Sequence, residues 1–290
     1  MFADARTYQI LFLSLFLLLG INTRDWTLHP EIVATAIATC LGTQAISQWV
    51  VNWQAESRSQ KPEVSEHIQH CLQEAQSPTQ FKIQNSTLNP QSPFSPHLPI
   101  FPISLSPVLL HSLPSALITS LGLSLLLRTD HYTTMMLAAI AAILSKFLLR
   151  INGKHLFNPA NIGIVAAVVL TQDAWISPGQ WGEESWYALL FLGTGGVVLR
   201  RVGRWDTTVA FLGFYACLEA ARNLWLGWTW DVWAHRLTSG SLLLFALFMV
   251  TDPRTIPNAG SARFVWAIAI ALLTFLLRNI FFIPTAVFWA

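Results

Sequence analysis

Lys146-Phe-Leu-Leu-Arg150-Ile-Asn-Gly-Lys154-His155-Leu-Phe-Asn158-Pro159-Ala-Asn161-Ile-Gly-Ile-Val-Ala-Ala-Val-Val-Leu-Thr-Gln172 is the stretch whose reading decides the fold. From Pro159 onward it is almost wholly apolar, yet it falls short of the ~20 residues that a full bilayer crossing takes. Pro159 stands at a helix start, where its missing N–H costs nothing, and Asn158 suits the N-cap. A helix beginning there presents free N–H groups and a positive dipole end, a site for phosphate, carboxylate or an electron-rich ring edge. Lys154 and His155 lie just before it. The plainer alternative is an ordinary capped helix with cations snorkelling to the membrane edge.

Working outward, the composition asks for a lipid-facing surface. Of 290 residues, 53% are hydrophobic and 11% charged, with a mean hydropathy of +0.48. A soluble domain carries about 25% charged residues. Thirteen Trp and eighteen Phe suit interfacial belts and lipid-facing spans. A net charge of +2, without basic clusters alternating with aromatics, excludes nucleic acid as the expected partner. The fold expected is an all-α polytopic membrane protein of about nine (8–10) spans, some broken or re-entrant. The candidates are residues 8–22, 30–51, 109–127, 132–149, 159–172, 186–199, 207–221, 238–251 and 262–284. Short spans beside Asn-Pro, Asp-Pro or Gly mark irregular backbone that lines a protein-filled or watery site. Residues 8–19 invite a signal-peptide reading. No small-residue cleavage site follows before Arg24, and a retained first span is expected.

Residues 52–107 separate two transmembrane helices (1–51) from a transmembrane core (108–290). The segment is rich in Ser, Gln, Asn and Pro, as in Asn89-Pro90-Gln91-Ser92-Pro93. It lacks the apolar surface needed to offset ordering entropy and reads as a partly disordered cytoplasmic insertion. A short amphipathic helix is expected through Gln76 and a loop beyond, with a linker or docking role. Lys146, Arg150 and Lys154, then Arg200, Arg201 and Arg204, then Arg254 and Arg263 fall on one side. Asp173, Glu183 and Glu184 fall on the other, where Arg222 and Arg236 dissent. The positive-inside rule puts the N-terminus and the basic loops in the cytoplasm of a bacterial-type plasma (inner) membrane. The run Ile280–Ala290 ends without a polar tail. It reads as a helix broken at Pro284, in a chain that is cut short or finishes against a partner helix.

Two further segments concentrate polar groups at membrane depth. In Met249-Val-Thr-Asp252-Pro-Arg254, Asp252 follows an apolar span and precedes a proline, so the helix is expected to end there. A carboxylate at a helix C-terminus opposes the macrodipole. Arg254, Arg204 or Lys154 is expected to compensate it, either as part of a ligand site or as a structural ion pair locking two half-helices. Glycines in Leu192-Gly-Thr-Gly-Gly196 permit close helix packing, and the GxxxxGK[ST] of a phosphate loop is absent. Cys40, Cys71 and Cys217 are widely spaced and odd in number, which argues against a disulfide framework, an iron–sulfur cluster or a metal site. No Ser/His/Asp triad, paired-carboxylate site or HExxH helix is present.

Gly153-Lys-His-Leu-Phe-Asn-Pro-Ala-Asn161, and Ser239-Gly-Ser241 followed by Phe248-Met-Val-Thr-Asp-Pro-Arg254, resemble the two signature stretches of the RnfD/NqrB family of membrane electron-transfer subunits. Tyr8-Gln-Ile-Leu-Phe12 and Arg204-Trp205 fit the same pattern. The resemblance covers most of residues 5–283 except an insertion at 52–100. It implies a fold like that of ammonium and urea transporters, and membership of an ion-pumping NADH:quinone or ferredoxin:NAD oxidoreductase. The family carries FMN on a Thr in a D/SGAT-type motif, in the extracytoplasmic loop after the span that begins Asn-Pro. Here that loop, about 172–185, has no Gly-Ala-Thr and no Thr past Thr171, so covalent FMN is not expected. Its Ser177-Pro-Gly-Gln-Trp-Gly182 resembles a shorter branch labelled enediyne-biosynthesis (UnbU-type) proteins, a label that reflects gene neighbourhood and implies no enediyne synthesis.

The resemblance places Asn158 and Asn161 near a non-covalent flavin, riboflavin or FMN. Their amides would bond the ring edge while the protein sets its potential. Lys154, His155, Arg204, Asp252 and Arg254 complete the expected cofactor-binding set. The leading function is electron transfer through that flavin or a partner's flavin, as part of an oxidoreductase complex with other membrane or soluble redox subunits. A small-molecule or ion transporter or channel on the same fold is the main alternative. A third reading is a scaffold whose 52–107 segment docks a soluble redox partner. An enzyme acting alone is not expected.

Overall fold

The computed structural model describes residues 4–23, 29–75, 107–177, 185–283 and 285–290. Helix α1 is Ala5–Thr23 and α2 is Pro30–Ala75. Next come α3 (Pro107–Leu126), strand β1 (Leu127–Thr129) and α4 (Tyr132–Leu148). Strands β2 (Arg150–Ile151) and β3 (Lys154–His155) lead into α5 (Pro159–Leu170), followed by β4 (Ala174–Ile176). The remainder is α6 (Ser185–Val202), α7 (Trp205–Leu226), α8 (Trp230–Leu237), α9 (Gly240–Leu244) with a π-helical turn at Phe245–Met249, α10 (Gly260–Asn279) and α11 (Ala286–Trp289).

A helical element stands at each of the nine expected positions. Ala5–Asn22, Leu109–Leu126 and Gly260–Asn279 are long and apolar enough to cross a membrane. A fourth span results if α8 and the α9–π segment, bent by 48°, count as one. Helices α4 and α5 are apolar but have only 17 and 12 residues. Asp206, Glu219 and Arg222 interrupt the apolar character of α7. The chain is thus a mostly helical integral membrane protein.

Two details depart from the all-α expectation. Asn152 and Gly153 have φ of 51° and 76°, the left-handed pair that a two-residue hairpin turn requires, and they join β2 to β3 in an antiparallel pair. Strand β1 pairs with β4. Arg128 within β1 is buried, and its guanidinium bonds the Ser124, Leu125 and Leu127 carbonyls, a cation closing the end of α3.

Compactness divides the chain into Met1–Ala45 with His111–Ala290, and Ile46–Leu110. In the smaller unit, helix continues unbroken to Ala75, where a separate short amphipathic helix was expected. The loop expected beyond it falls on 76–106, outside the described residues, as do 178–184 and Pro284. In the larger unit, α1, α6 and the π-helical turn meet at Phe16, whose ring lies 4.4 Å from Phe191 and 5.8 Å, edge-on, from Phe248. Glycines set the closest approaches. Gly163 of α5 packs on the Ala138 carbonyl of α4, and Gly195 of α6 packs on Leu247.

Helices α7 and α10 run parallel. Arg263 pairs with Asp206 at 2.7 Å near one end of α7, while Asn279 bonds Glu219 at 2.8 Å further along. Thirteen residues of helix separate Asp206 from Glu219, about 20 Å at 1.5 Å per residue. The basic loops and the Glu219 network therefore occupy different levels of the bundle.

Candidate functional site

The start of α5 and the end of the π-helical turn meet head to tail, and Asn158 joins them. Its Oδ1 accepts the Ala160 N–H at 3.0 Å as a true N-cap, and its Nδ2 donates to the Met249 carbonyl at 3.5 Å. The His155 N–H adds a 3.0 Å bond to the Arg254 carbonyl. A π-turn displaces carbonyls from their usual partners, and side chains from three directions meet the ones released here. Thr208 of α7 donates to Ala246 at 2.7 Å, Gln9 of α1 to Phe248 at 3.0 Å, and Asn158 to Met249.

Around this junction lies a cavity of about 300 Å³, at the small end of ligand sites. Leu13, Ile118, Leu125, Val198, Leu244 and Phe248 form apolar walls. The polar part of the lining comes from Asp4, from Arg6 and Gln9 of α1, from Ser115 and Thr119 of α3, and from His155, Asn158, Thr251, Asp252 and Arg254. Arg6 pairs with Asp4 at 3.1 Å and donates to the His111 carbonyl. Lys146 is buried beside the cavity, its Nζ bonded to Ser115 O at 3.1 Å and to Ser115 Oγ at 3.2 Å.

Burial first, then the charges of Arg150, Arg254 and Lys146, pushes the His155 imidazole down to about 4. The ring is neutral at pH 7. It bonds the Lys146 carbonyl, and its buried Nδ1 is left without a partner among the described residues. Burial raises the Asp252 carboxyl above its ordinary range. The Arg254 N–H at 3.0 Å and the charges of Arg254, Lys146 and Arg204 pull the other way. With Asp4 against Arg6 and Asp252 against Arg254, the charged groups on the lining are balanced in number, an environment for a neutral or weakly charged ligand rather than a phosphate.

Of the seven residues expected at the site, His155, Asn158, Asp252 and Arg254 line the one cavity. Lys154 and Arg204 do not. Lys154 Nζ bonds Ile256 O at 2.6 Å and Asn258 Oδ1 at 2.8 Å, and Arg204 bonds Pro257 O at 2.9 Å. Together they clamp the loop after Asp252. Asn161 stands off the lining, its buried Oδ1 lacking a partner among the described residues. The helix end is also less open than expected. Pro159 has no N–H, Asn158 Oδ1 takes that of Ala160, and the Asn158 carbonyl takes that of Ile162 at 3.2 Å. Asn158 thus works as a joint between helices, with both ends of its amide engaged.

Sequence reasoning missed Gln9, Ser115 and Thr119 as site residues. Ser115 and Thr119 sit four apart on α3, and Arg6 and Gln9 three apart on α1, spacings that put each pair on one helix face. Nothing local, however, shows that those faces meet the α5 junction. Cys40 is buried and Cys217 exposed, both as free thiols. Among the described residues no group of His, Cys, Asp and Glu forms a metal site.

Comparison with known proteins agrees with the second signature stretch. Residues 170–290 match the NQR2, RnfD, RnfE family. The D subunit of the ion-translocating oxidoreductase complex of Stutzerimonas stutzeri is 32% identical over 143 residues, 47% of this chain and 40% of the relative. Its counterpart in Actinobacillus pleuropneumoniae serotype 5b is 29% identical over 114 residues, 39% of this chain and 33% of the relative. That of Tolumonas auensis is 32% identical over 96 residues, 32% of this chain and 27% of the relative. The chain spans at most 40% of the length of these relatives. The family match leaves out the Asn158-Pro159 stretch, a narrower reach than the resemblance over 5–283 implied.

Proposed function

We propose, from the RnfD/NqrB family assignment that these matches support, that the chain is an integral membrane electron-transfer subunit and holds a non-covalent flavin in the cavity at the α5 junction. One observation carries this reading. Two interrupted helices meet there beside a space lined by apolar side chains together with His155, Asn158, Asp252 and Arg254. A flavin ring needs flat apolar faces and hydrogen-bonding partners for its nitrogen and carbonyl edge. The neutral His155, with its unpartnered Nδ1, is suited to accept an N–H from that edge, and the Arg254 and Gln9 side chains offer donors. Balanced lining charge favours riboflavin, or a flavin whose phosphate lies elsewhere, over a phosphate group in this cavity. When bound, a flavin would take up and release electrons. The chain's part is to hold the ring away from water and, through Asp252 and Arg254, to set the local potential.

By analogy with relatives named as the D subunit of an ion-translocating oxidoreductase complex, this chain would work beside other membrane or soluble redox subunits, with its basic loops in the cytoplasm. The test is the absorption spectrum of the protein after gentle detergent extraction, followed by acid release of the chromophore. A flavin recovered free in the supernatant is expected, and its loss in a folded Thr119→Trp variant that fills the cavity. A colourless wild-type protein overturns the proposal. Uptake of ions or small molecules into proteoliposomes by colourless protein favours a transporter on the same broken helices. Capture of a soluble redox partner by residues 52–107 would favour the scaffold reading.

A further inference from the structure

A second cavity, of about 560 Å³, lies around the ends of α7, α8 and α10 and is lined by Arg222, Arg236 and Arg278. The lining holds no carboxylate. Behind it, the Glu219 side chain, 1% exposed, answers Arg236 at 2.8 Å and accepts from Asn279 at 2.8 Å and Tyr215 at 3.0 Å. Arg278 donates to the Tyr215 hydroxyl at 3.0 Å, and Arg222 lies over the Trp228 ring at 4.6 Å. These two guanidinium groups meet neutral partners, so the site keeps a surplus of positive charge. Ser239, Ser241 and Thr285 add hydroxyls, while Leu242, Val287 and Phe288 supply an apolar wall.

Two more observations point outward from this cavity to a ligand. Phe282, on its lining, has φ of 55°, in the left-handed region that a bulky aromatic rarely adopts. It is also 78% exposed. Backbone in such a conformation persists where the surroundings hold it in place, often at ligand sites. The three arginines also stand at the end of the bundle remote from the basic loops, against the charge distribution that sets orientation. Cations kept on that side call for a purpose beyond topology.

We propose that this second cavity binds a phosphate carried on an apolar body, the headgroup of an anionic phospholipid, at the membrane face opposite the basic loops. Planar guanidinium forks match phosphate oxygens. Arg222 with Trp228, the latter 40% exposed, is the arginine–aromatic pairing suited to the headgroup level of a bilayer. Phe282 and the apolar wall are placed to meet acyl chains. The inference stands independently of the flavin assignment.

The experiment is lipid binding to the full chain, purified in detergent and delipidated, with thermal unfolding and native mass spectrometry as readouts. Phosphatidylglycerol should raise the unfolding temperature and remain bound at one copy per chain, and phosphatidylcholine should do neither. Arg222→Gln with Arg278→Gln should weaken the lipid response about tenfold, as expected for lost charge-assisted bonds. Both substitutions leave the Glu219–Arg236 pair in place. Should the double variant fail to fold, Arg222→Gln alone carries the test, since that side chain stacks on the surface of Trp228. Equal responses to both lipids, or an unchanged response in the folded variant, overturn the proposal. A full response to inorganic phosphate alone also overturns it, by showing a site that reads the anion without an apolar body.

Discussion

Burial and the neighbouring Arg150, Arg254 and Lys146 charges hold His155 neutral down to about pH 4, whereas the unfolded chain would protonate it near 6.5. Between those values the unfolded state binds a proton that the folded state refuses. Stability from this group is therefore complete above pH 6.5 and is lost as pH falls toward 4, with a slope approaching about 1.4 kcal/mol per pH unit. His155→Gln should flatten the fall in unfolding temperature between pH 7 and 5 relative to wild type, and parallel curves would disprove the assignment. Of the site, His155, Asn158, Asp252 and Arg254 were legible in the sequence because each sits beside a helix-breaking proline or a cap, where local rules apply. Lys154 and Arg204, read by the same local rules, stand off the cavity lining. Charge and proximity in sequence located them near Asp252, but only packing shows their ammonium and guanidinium groups turned to the carbonyls of Ile256 and Pro257.

At the scale of elements, small residues decide which helices can touch. A Cβ added at Gly163 would fall 2.5 Å from the Ala138 carbonyl oxygen and 2.9 Å from the Ala142 Cβ, whereas one at Gly193 meets nothing within 4 Å. Gly163→Ala should therefore destabilise the protein by about 1–3 kcal/mol, as overpacking does. Gly193→Ala should be neutral or slightly stabilising, since alanine favours helix. Unfolding temperatures of the two variants check the contrast, and equal values would mean that α4 and α5 are not in close contact. The Asn158 cap and the end of the apolar run before Asp252 could be read from residue types alone. The β2–β3 hairpin was also written in Asn152-Gly153, a pair that adopts left-handed backbone at low cost. The π-turn at Phe245–Met249 carries no local signal, because its widened geometry depends on Thr208, Gln9 and Asn158 reaching its carbonyls from other helices.

For the whole molecule, the placement of charge yields a test of orientation. If the loops that bear Lys154 and Arg254 face the cytoplasm, single cysteines placed at Asn152 and Asn258, in a background with Cys40, Cys71 and Cys217 replaced by serine, should react with a membrane-impermeant thiol reagent only after the cells are opened. A cysteine at Trp230 should react in intact cells. The reverse pattern would invert the topology. The amino-acid sequence determined the bilayer as solvent, the positions of the apolar helices and the places where they break, because each follows from local hydropathy and from the backbone limits of Pro, Asn and Gly. Tertiary structure alone decided which breaks share a cavity and which cations reach it. When both the lipid-facing and the core-facing sides of a helix are apolar, periodicity no longer identifies its partner. Contacts such as Asn158 to Met249, or Gln9 to Phe248 across 239 residues of chain, arise only once the bundle has closed.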